Sequence, residues 1–376
     1  MATDFIKNSV TRYRYLQSYL RPHYPIYLVH FVTARCPYRC PTCFYWKQSD
    51  QADPTHELSA EEIAILARRH PYPWQVTITG GEPFVRRDLD QILTAYLNQS
   101  KPLGLSIHTT GSFPNRTVDA IERVLSRADS RKNKTKLTVH FSLDMIGKSY
   151  DRFCGVTSAF DRMNETYRGL KQLQREYESI FLTVDTVYSS ANQDALSQVH
   201  DYISEQLEPD RKNLILVRGT TRDPLVRKID VQQYREWAAH WQSDRTGDRN
   251  YTDRLKSEMA RAVSDQIENI MRGKATSCHC AAGDKFVVIN ERGDVLPCEM
   301  THLIPGATYM GNLRERDLTL SRLLCSPQAD KIRRAIREGS CACTYECALF
   351  ASILTTPTEM AKRALLASVN RNTNNR

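Results

Sequence analysis

Between residues 26 and 217, six β-rich runs alternate with stretches of helical periodicity, and no other feature of the chain restricts its fold as much. The runs are 26–33, 75–79, 105–109, 136–143, 180–188 and 213–217. After the first run, Ser59 and Glu62 make a capping box that opens a helix reaching about His70. Leu89, Ile92, Leu93, Tyr96 and Leu97 stripe the next helix and Ile121, Val124 and Leu125 the third. Helical patterns follow over about 160–177 and 193–207. Strands separated by helices build parallel βα units, because each helix carries the chain back across the sheet. Six units can curl into an open barrel or spread into a doubly wound sheet, and the pattern alone allows both.

At 376 residues and 41% hydrophobic content, the chain can form one large domain with an appendage. It has no run of 18 apolar residues, and its N-terminus lacks the apolar centre of a signal peptide. A cytoplasmic protein with no membrane partner is expected. In a reducing compartment, eleven cysteines point to metal rather than to disulfides. Nine fall in two groups: Cys36, Cys40 and Cys43, then Cys278, Cys280, Cys298, Cys341, Cys343 and Cys347. Cys154 and Cys325 stand apart and read as small buried apolar residues. The net charge of +9 permits an anionic partner. Its densest basic run, 131–136, reads as a solvated loop, so nucleic acid is not the expected partner.

The first group reads Cys36-Pro37-Tyr38-Arg39-Cys40-Pro41-Thr42-Cys43. Pro37 and Pro41 interrupt any helix, so the three thiols sit on a loop that can wrap one metal centre. Thiolates suit zinc or an iron–sulfur cluster. Zinc would want a fourth ligand at comparable spacing, and His30 and His56 do not fit. A 4Fe–4S cluster held by three cysteines keeps one iron open for a small molecule.

This loop resembles the cluster-binding motif of radical S-adenosylmethionine (radical SAM) enzymes, with Thr42 where many members carry an aromatic residue. Phe44, Tyr45 and Trp46 follow it instead. Gly80-Gly81-Glu82-Pro83 resembles the family's GGEP segment, which in relatives contacts the amino group of SAM. His108-Thr109-Thr110-Gly111 is similar to its T-N-G segment, with Thr110 for Asn, and Ser142-Leu143-Asp144 to its S-L-D segment, with Met145 for Gly. Tyr150–Gly155 resembles a further segment whose arginine is replaced by Cys154. Asn192 and Arg218-Gly219 also match positions that relatives hold. The resemblance implies a partial (β/α)6 TIM-type barrel with a small C-terminal Cys-rich α+β extension. It implies SAM bound by Tyr45, Gly80, Gly81, Glu82, Thr109, Ser142, Asp144 and Asn192, and a 4Fe–4S cluster on Cys36, Cys40 and Cys43.

From Cys278 the composition changes. Strands over 286–290 and 294–296 flank the turn 291–293 as a hairpin, and a helix is expected over about 317–338. Cys278-His279-Cys280-Ala281-Ala282-Gly283, Pro297-Cys298-Glu299 and Cys341 to Cys347 resemble the SPASM or shorter Twitch extension of the same family. That implies an auxiliary 4Fe–4S cluster on Cys280, Cys298, Cys343 and Cys347, with Cys341 and Cys278 in reserve; structural zinc is the alternative. The expected organisation is a lead-in helix (1–25), the barrel (26–220), a helical connector (221–277), the auxiliary region (278–350) and a final helix with a tail (351–376).

The implied function is reductive cleavage of SAM, with an electron from reduced flavodoxin or ferredoxin, to a 5′-deoxyadenosyl radical. That radical takes a hydrogen from a small molecule, giving a dehydrogenation or an epimerisation. The small-molecule substrate is expected because a peptide-recognition domain of the kind many peptide-modifying relatives carry would need far more sequence. A peptide maturase is the alternative, and a non-catalytic zinc or iron–sulfur binding protein is the alternative of another class.

Overall fold

A computed structural model describes residues 2–127, 135–243, 251–274, 276–304, 309–338 and 343–369. Cys341, residues 131–134 of the basic run and the tail 370–376 lie outside them. The six expected strands form as β1 (Tyr27–Thr33), β2 (Gln75–Gly80), β3 (Gly104–Thr109), β4 (Lys136–Ser142), β5 (Ile180–Tyr188) and β6 (Arg211–Leu216). Between and after them run α1 (Ala2–Leu20), α2 (Trp46–Asp50), α3 (Ala60–Arg69), α4 (Leu89–Ala95), α5 (Pro114–Arg127), α6 (Gly147–Cys154), α7 (Ala159–Glu176), α8 (Leu196–Tyr202), α9 (Val231–Ser243) and α10 (Tyr251–Met271). The C-terminal region holds β7 (Phe286–Ile289), β8 (Asp294–Leu296), β9 (Gly311–Asn312), α11 (Leu320–Leu324), α12 (Pro327–Glu338), α13 (Glu346–Thr355) and α14 (Pro357–Val369).

The strand order is β6-β5-β4-β3-β2-β1-β7-β8-β9. Strands β1 to β6 are parallel and lie in unbroken chain order. A doubly wound sheet needs a point where the order reverses, and here every right-handed crossover advances the same way. The helices therefore collect on one face and the sheet curls around the other, as an incomplete barrel. Burial follows this geometry. On β4, Leu137, Val139 and Phe141 are buried on the helix side, where Phe141 meets Tyr167 of α7. Thr138, His140 and Ser142 alternate with them on the concave side.

The capping box at Ser59 and Glu62 forms as expected. Helix α1 closes the N-terminal ends of the strands: Tyr19 stacks on Trp74, and Lys285 donates to the carbonyls of Tyr19 and Arg21. Three features depart from the sequence expectation. The helix expected over about 317–338 is two helices, because Pro327 lacks the N–H that would continue α11 and instead opens α12. Cys154, expected from sequence at the C-terminal end of a strand, closes the helix α6 instead. And β7 pairs in parallel with β1, so the hairpin β7–β8 continues the barrel's own sheet.

Candidate active site

The cysteine loop leaves the C-terminal end of β1, and Cys36, Cys40 and Cys43 are each half-buried. Its backbone is tied from two sides. Arg39 N–H donates to the carbonyl of Cys154 at 2.8 Å. Arg222 and Asp223, after β6, donate to the carbonyls of Cys43 and Pro41, both at 3.0 Å. Gly219, with φ +72°, lies so close to Phe44 that a Cβ would stand 2.9 Å from the phenylalanine Cβ. Burial pushes the Cys43 thiol up to about 11, and Cys40 adds to it. The Cys40 thiol is also raised, chiefly by its hydrogen bond with Cys154. Cys154, read from sequence as a bland buried residue, is thus a neighbour of the loop.

Tetrahedral zinc, with Zn–S of about 2.3 Å, would draw sulfurs to roughly 3.8 Å apart. Among the described residues no three cysteines have their sulfurs all within 4.8 Å of one another. Three thiols spread on one loop suit the wider 4Fe–4S core with one iron left open.

The expected SAM-binding residues divide. Gly80 and Gly81 are glycines because the chain's own backbone approaches: a Cβ would meet Thr33 O at 2.1 Å and Arg35 O at 2.2 Å. Gly81 N–H donates to Thr33 O at 2.8 Å and Glu82 N–H to Arg35 O at 2.9 Å. The segment therefore straps the lead-in of the cysteine loop to β2. The Glu82 carboxylate, fully buried, accepts from Phe84 N–H (3.1 Å) and Thr109 Oγ1 (2.9 Å) on one oxygen. The other oxygen accepts from Thr110 N–H (2.7 Å) and Thr110 Oγ1 (2.6 Å). Four donors fill its lone-pair positions. This carboxylate fastens the exit of β2 to that of β3, and Thr110 is half of the fastening. Burial still raises its carboxyl against those bonds.

Asn192 is likewise committed. Its amide donates to the carbonyls of Asp144 (3.1 Å) and Val187 (2.8 Å) and accepts from Ser189 N–H (2.8 Å). Asp144 accepts from Val187 N–H at 2.7 Å, and burial lifts its carboxyl to about 7. The Ser142 carbonyl accepts from Tyr150 Oη. Tyr45 faces the C-terminal region: its hydroxyl donates to buried Glu291 in the β7–β8 turn, and its ring packs on Phe31.

Sequence reasoning missed the polar group on the concave side. His108 of β3, His140 of β4 and Asp185 of β5 converge there, the one compact group of three metal-type donors among the described residues. His140 Nδ1 lies 2.9 Å from Asp185 Oδ2, and Asn213 of β6 donates to Asp185 Oδ1 at 2.7 Å. The His108 ring stacks on His140 at 4.4 Å. The histidines and the asparagine hold the Asp185 carboxyl at about 2 against burial, and burial drives His108 down to about 3. A charged residue amid the apolar run of β5 was the clue the sequence offered.

At the C-terminal end of β6, half-buried Arg218 bonds Glu299 and Glu346, both at 3.1 Å, with its guanidinium over the rings of Tyr345 and Phe44. Those residues are chain neighbours of Cys298, Cys347 and Cys43, so one arginine touches segments of both cysteine groups. Burial raises the thiols of Cys280 and Cys298, Cys343 adds to both and Cys280 to Cys298, which groups these three expected ligands. Cys347 sits by Tyr27 on the concave side and by Glu299. Cys278 is half-buried near Cys280 and Glu359. The fifth expected ligand, Cys341, lies outside the described residues.

Two family models match: the radical SAM superfamily over residues 31–189 and the SPASM iron–sulfur cluster-binding domain over 278–348. The chain is 28% identical over 180 residues to a probable GTP 3′,8-cyclase of Methanocella arvoryzae, covering 46% of this chain and 51% of that protein. It is 25% identical over 296 residues to AlbA of Bacillus subtilis, a subtilosin biosynthesis protein, covering 77% and 57%. It is 24% identical over 323 residues to the PqqA peptide cyclase of Xanthomonas euvesicatoria, covering 78% and 73%. The chain thus spans little more than half the length of the first two. The fold is similar to that of SuiB of Streptococcus suis, solved with S-adenosylmethionine, at TM-score 0.55 and 20% identity, covering 88% of this chain and 73% of that one. SuiB has also been solved with its precursor peptide SuiA, and that structure matches at TM-score 0.56.

Proposed function

Because this chain is a radical SAM protein with a SPASM extension, and so carries a SAM-binding 4Fe–4S cluster and auxiliary iron–sulfur chemistry, we propose that it modifies a peptide. One observation carries the choice of substrate. The alignments to AlbA and to the PqqA peptide cyclase run through 77% and 78% of the chain, whereas those to GTP cyclases cover 46%, 21% and 32%. This favours the peptide over the small molecule expected from sequence.

In this reading Cys36, Cys40 and Cys43 hold the SAM-binding cluster, and Cys280, Cys298, Cys343 and Cys347 the auxiliary one. When bound, the first cluster supplies the electron that splits SAM into methionine and a 5′-deoxyadenosyl radical. The protein's part is placement. The Gly80–Glu82 strap and the Arg222–Asp223 contacts fix the cysteine loop at the mouth of the barrel. The polar concave side receives the substrate, and Arg218 holds the C-terminal cysteine segments against that mouth. Reduced flavodoxin or ferredoxin delivers the electron.

The test is anaerobic reconstitution with dithionite, SAM and short peptides encoded beside the gene. Peptide-stimulated 5′-deoxyadenosine, with a peptide product lacking two hydrogens by mass spectrometry, is the expected result. Stimulation by small metabolites and by no peptide would overturn it.

A further inference from the structure

The group on the concave side is built for proton transfer. Two histidines and a carboxylate within reach of one another first suggest a metal site. The stacking argues otherwise. With the rings 4.4 Å apart and 14° from parallel, an ion in the plane of one imidazole lies well out of the plane of the other. Of the two rings, His140 alone makes a hydrogen bond to Asp185; His108 Nδ1 stays 3.5 Å away. The arrangement is a carboxylate-oriented imidazole with a second ring laid on it.

The line Asn213–Asp185–His140 fixes a tautomer. Asn213 Nδ2 donates to Asp185 Oδ1, so Oδ2 is left to face His140 Nδ1. An ionised carboxylate only accepts, so Nδ1 carries the proton and Nε2 holds the lone pair. Asp185 is 6% exposed, while His140 at 18% and His108 at 33% open onto the interior. Asp185 and His108 face His140 there, and Arg218 acts on His108 in turn. His108 pairs with His140 and Asp185 with Ser142, so the relay lies in the C-terminal halves of β3 to β5, toward the end of the sheet where the cysteine loop leaves β1.

We propose that His140, oriented by Asp185 and Asn213, is the catalytic base that takes the substrate's proton during bond formation. The proposal rests on the peptide reading. Hydrogen-atom abstraction leaves a carbon radical on the peptide and makes 5′-deoxyadenosine. A side-chain X–H group then bonds to that carbon. Its X–H bond breaks, the proton goes to His140 Nε2, and one electron leaves to an acceptor of the iron–sulfur class. The net change is loss of two hydrogens from the peptide.

Asp185→Asn tests the relay through its own geometry. Asn213 still donates to position 185, so the new amide turns its oxygen to Asn213 and its NH2 to His140. His140 Nδ1 then has to accept, and the proton moves to Nε2, where it blocks the base. Nitrogen-15 histidine spectra of the anaerobic holoenzyme should show His140 protonated at Nδ1 in the parent chain and at Nε2 in Asp185→Asn. Adding Asn213→Ala frees the amide to flip and should restore the Nδ1 form. With a peptide that supports turnover, Asp185→Asn and His140→Gln should lower the ratio of peptide product to 5′-deoxyadenosine about a hundredfold. The double variant should regain at least about tenfold of that loss. An Nε2-protonated His140 in the parent chain, or a product ratio unmoved by all three variants, overturns the proposal. If no peptide supports turnover the peptide reading falls, and the tautomer measurement alone still decides whether the relay exists.

Discussion

Arg218 and Glu299 meet at 3.1 Å, with the arginine side chain 16% and the glutamate side chain 6% exposed. Glu299 follows Cys298 in the chain, and the same guanidinium reaches Glu346, which precedes Cys347. A barrel strand end thus holds both C-terminal cysteine segments by charge. Removing one partner of such a pair strands the others, at about 3–5 kcal/mol. Arg218→Met should lower stability by that order and cut iron per reconstituted chain from about eight toward about four. Unchanged iron and an unchanged unfolding midpoint would remove the clamp from the account.

Glu82→Gln separates a fastener from a ligand. An amide offers one acceptor atom where two are occupied, leaving its NH2 facing hydroxyl and N–H donors. The expected loss is about 2–3 kcal/mol in urea unfolding of the cluster-free chain, before SAM is present. A variant that unfolds like the parent and only binds SAM more weakly would return Glu82 to the cofactor.

Tyr45→Phe removes the hydroxyl that partners buried Glu291. Stability should fall by about 1.5–3 kcal/mol, with SAM cleavage per folded molecule unchanged. A cleavage defect without a stability defect would support the role expected for Tyr45 from sequence.

Cys154 touches Cys40 without belonging to its loop. Cys154→Ala should keep the iron content of the parent, whereas Cys40→Ala should lose about four irons per chain. Equal losses would make Cys154 a ligand.

Two buried histidines set the acid limit. Burial drives His30 down to about 3, with a bond to Tyr96 Oη at 2.7 Å, and His70 down to about 4. Both stay neutral in the fold, and unfolding lets them take protons below about 6.5. Their contribution is therefore fully present above that pH. It is lost as pH falls toward 4 for His70 and 3 for His30, by about 1.4 kcal/mol per pH unit each. His30→Leu and His70→Leu should each flatten the stability profile of the cluster-free chain in that window by one such share. An unchanged slope in both would refute the assignment.

Much of this protein is legible in its sequence. The six strands, the capping box at Ser59 and the C-x3-C-x2-C loop all form where local pattern puts them, because strand alternation, helix periodicity and proline's missing N–H are properties of neighbouring residues. The tertiary structure decided which side chains meet. Glu82 finds Thr109 and Thr110 across 27 and 28 residues, His140 finds Asp185 across 45, and Arg218 finds Glu346 across 128. Those meetings depend on strand order and register, and neither is encoded within any one run. Hence Glu82 and Asn192, which the motifs suggested for SAM, have their hydrogen-bonding groups engaged within the chain, and β7 joined the barrel's sheet beside β1. The interior pair His108 and His140 carried no message in sequence beyond their parity on two strands. Parallel register at adjacent positions brought them face to face, and one inward step on β5 placed Asp185 within reach.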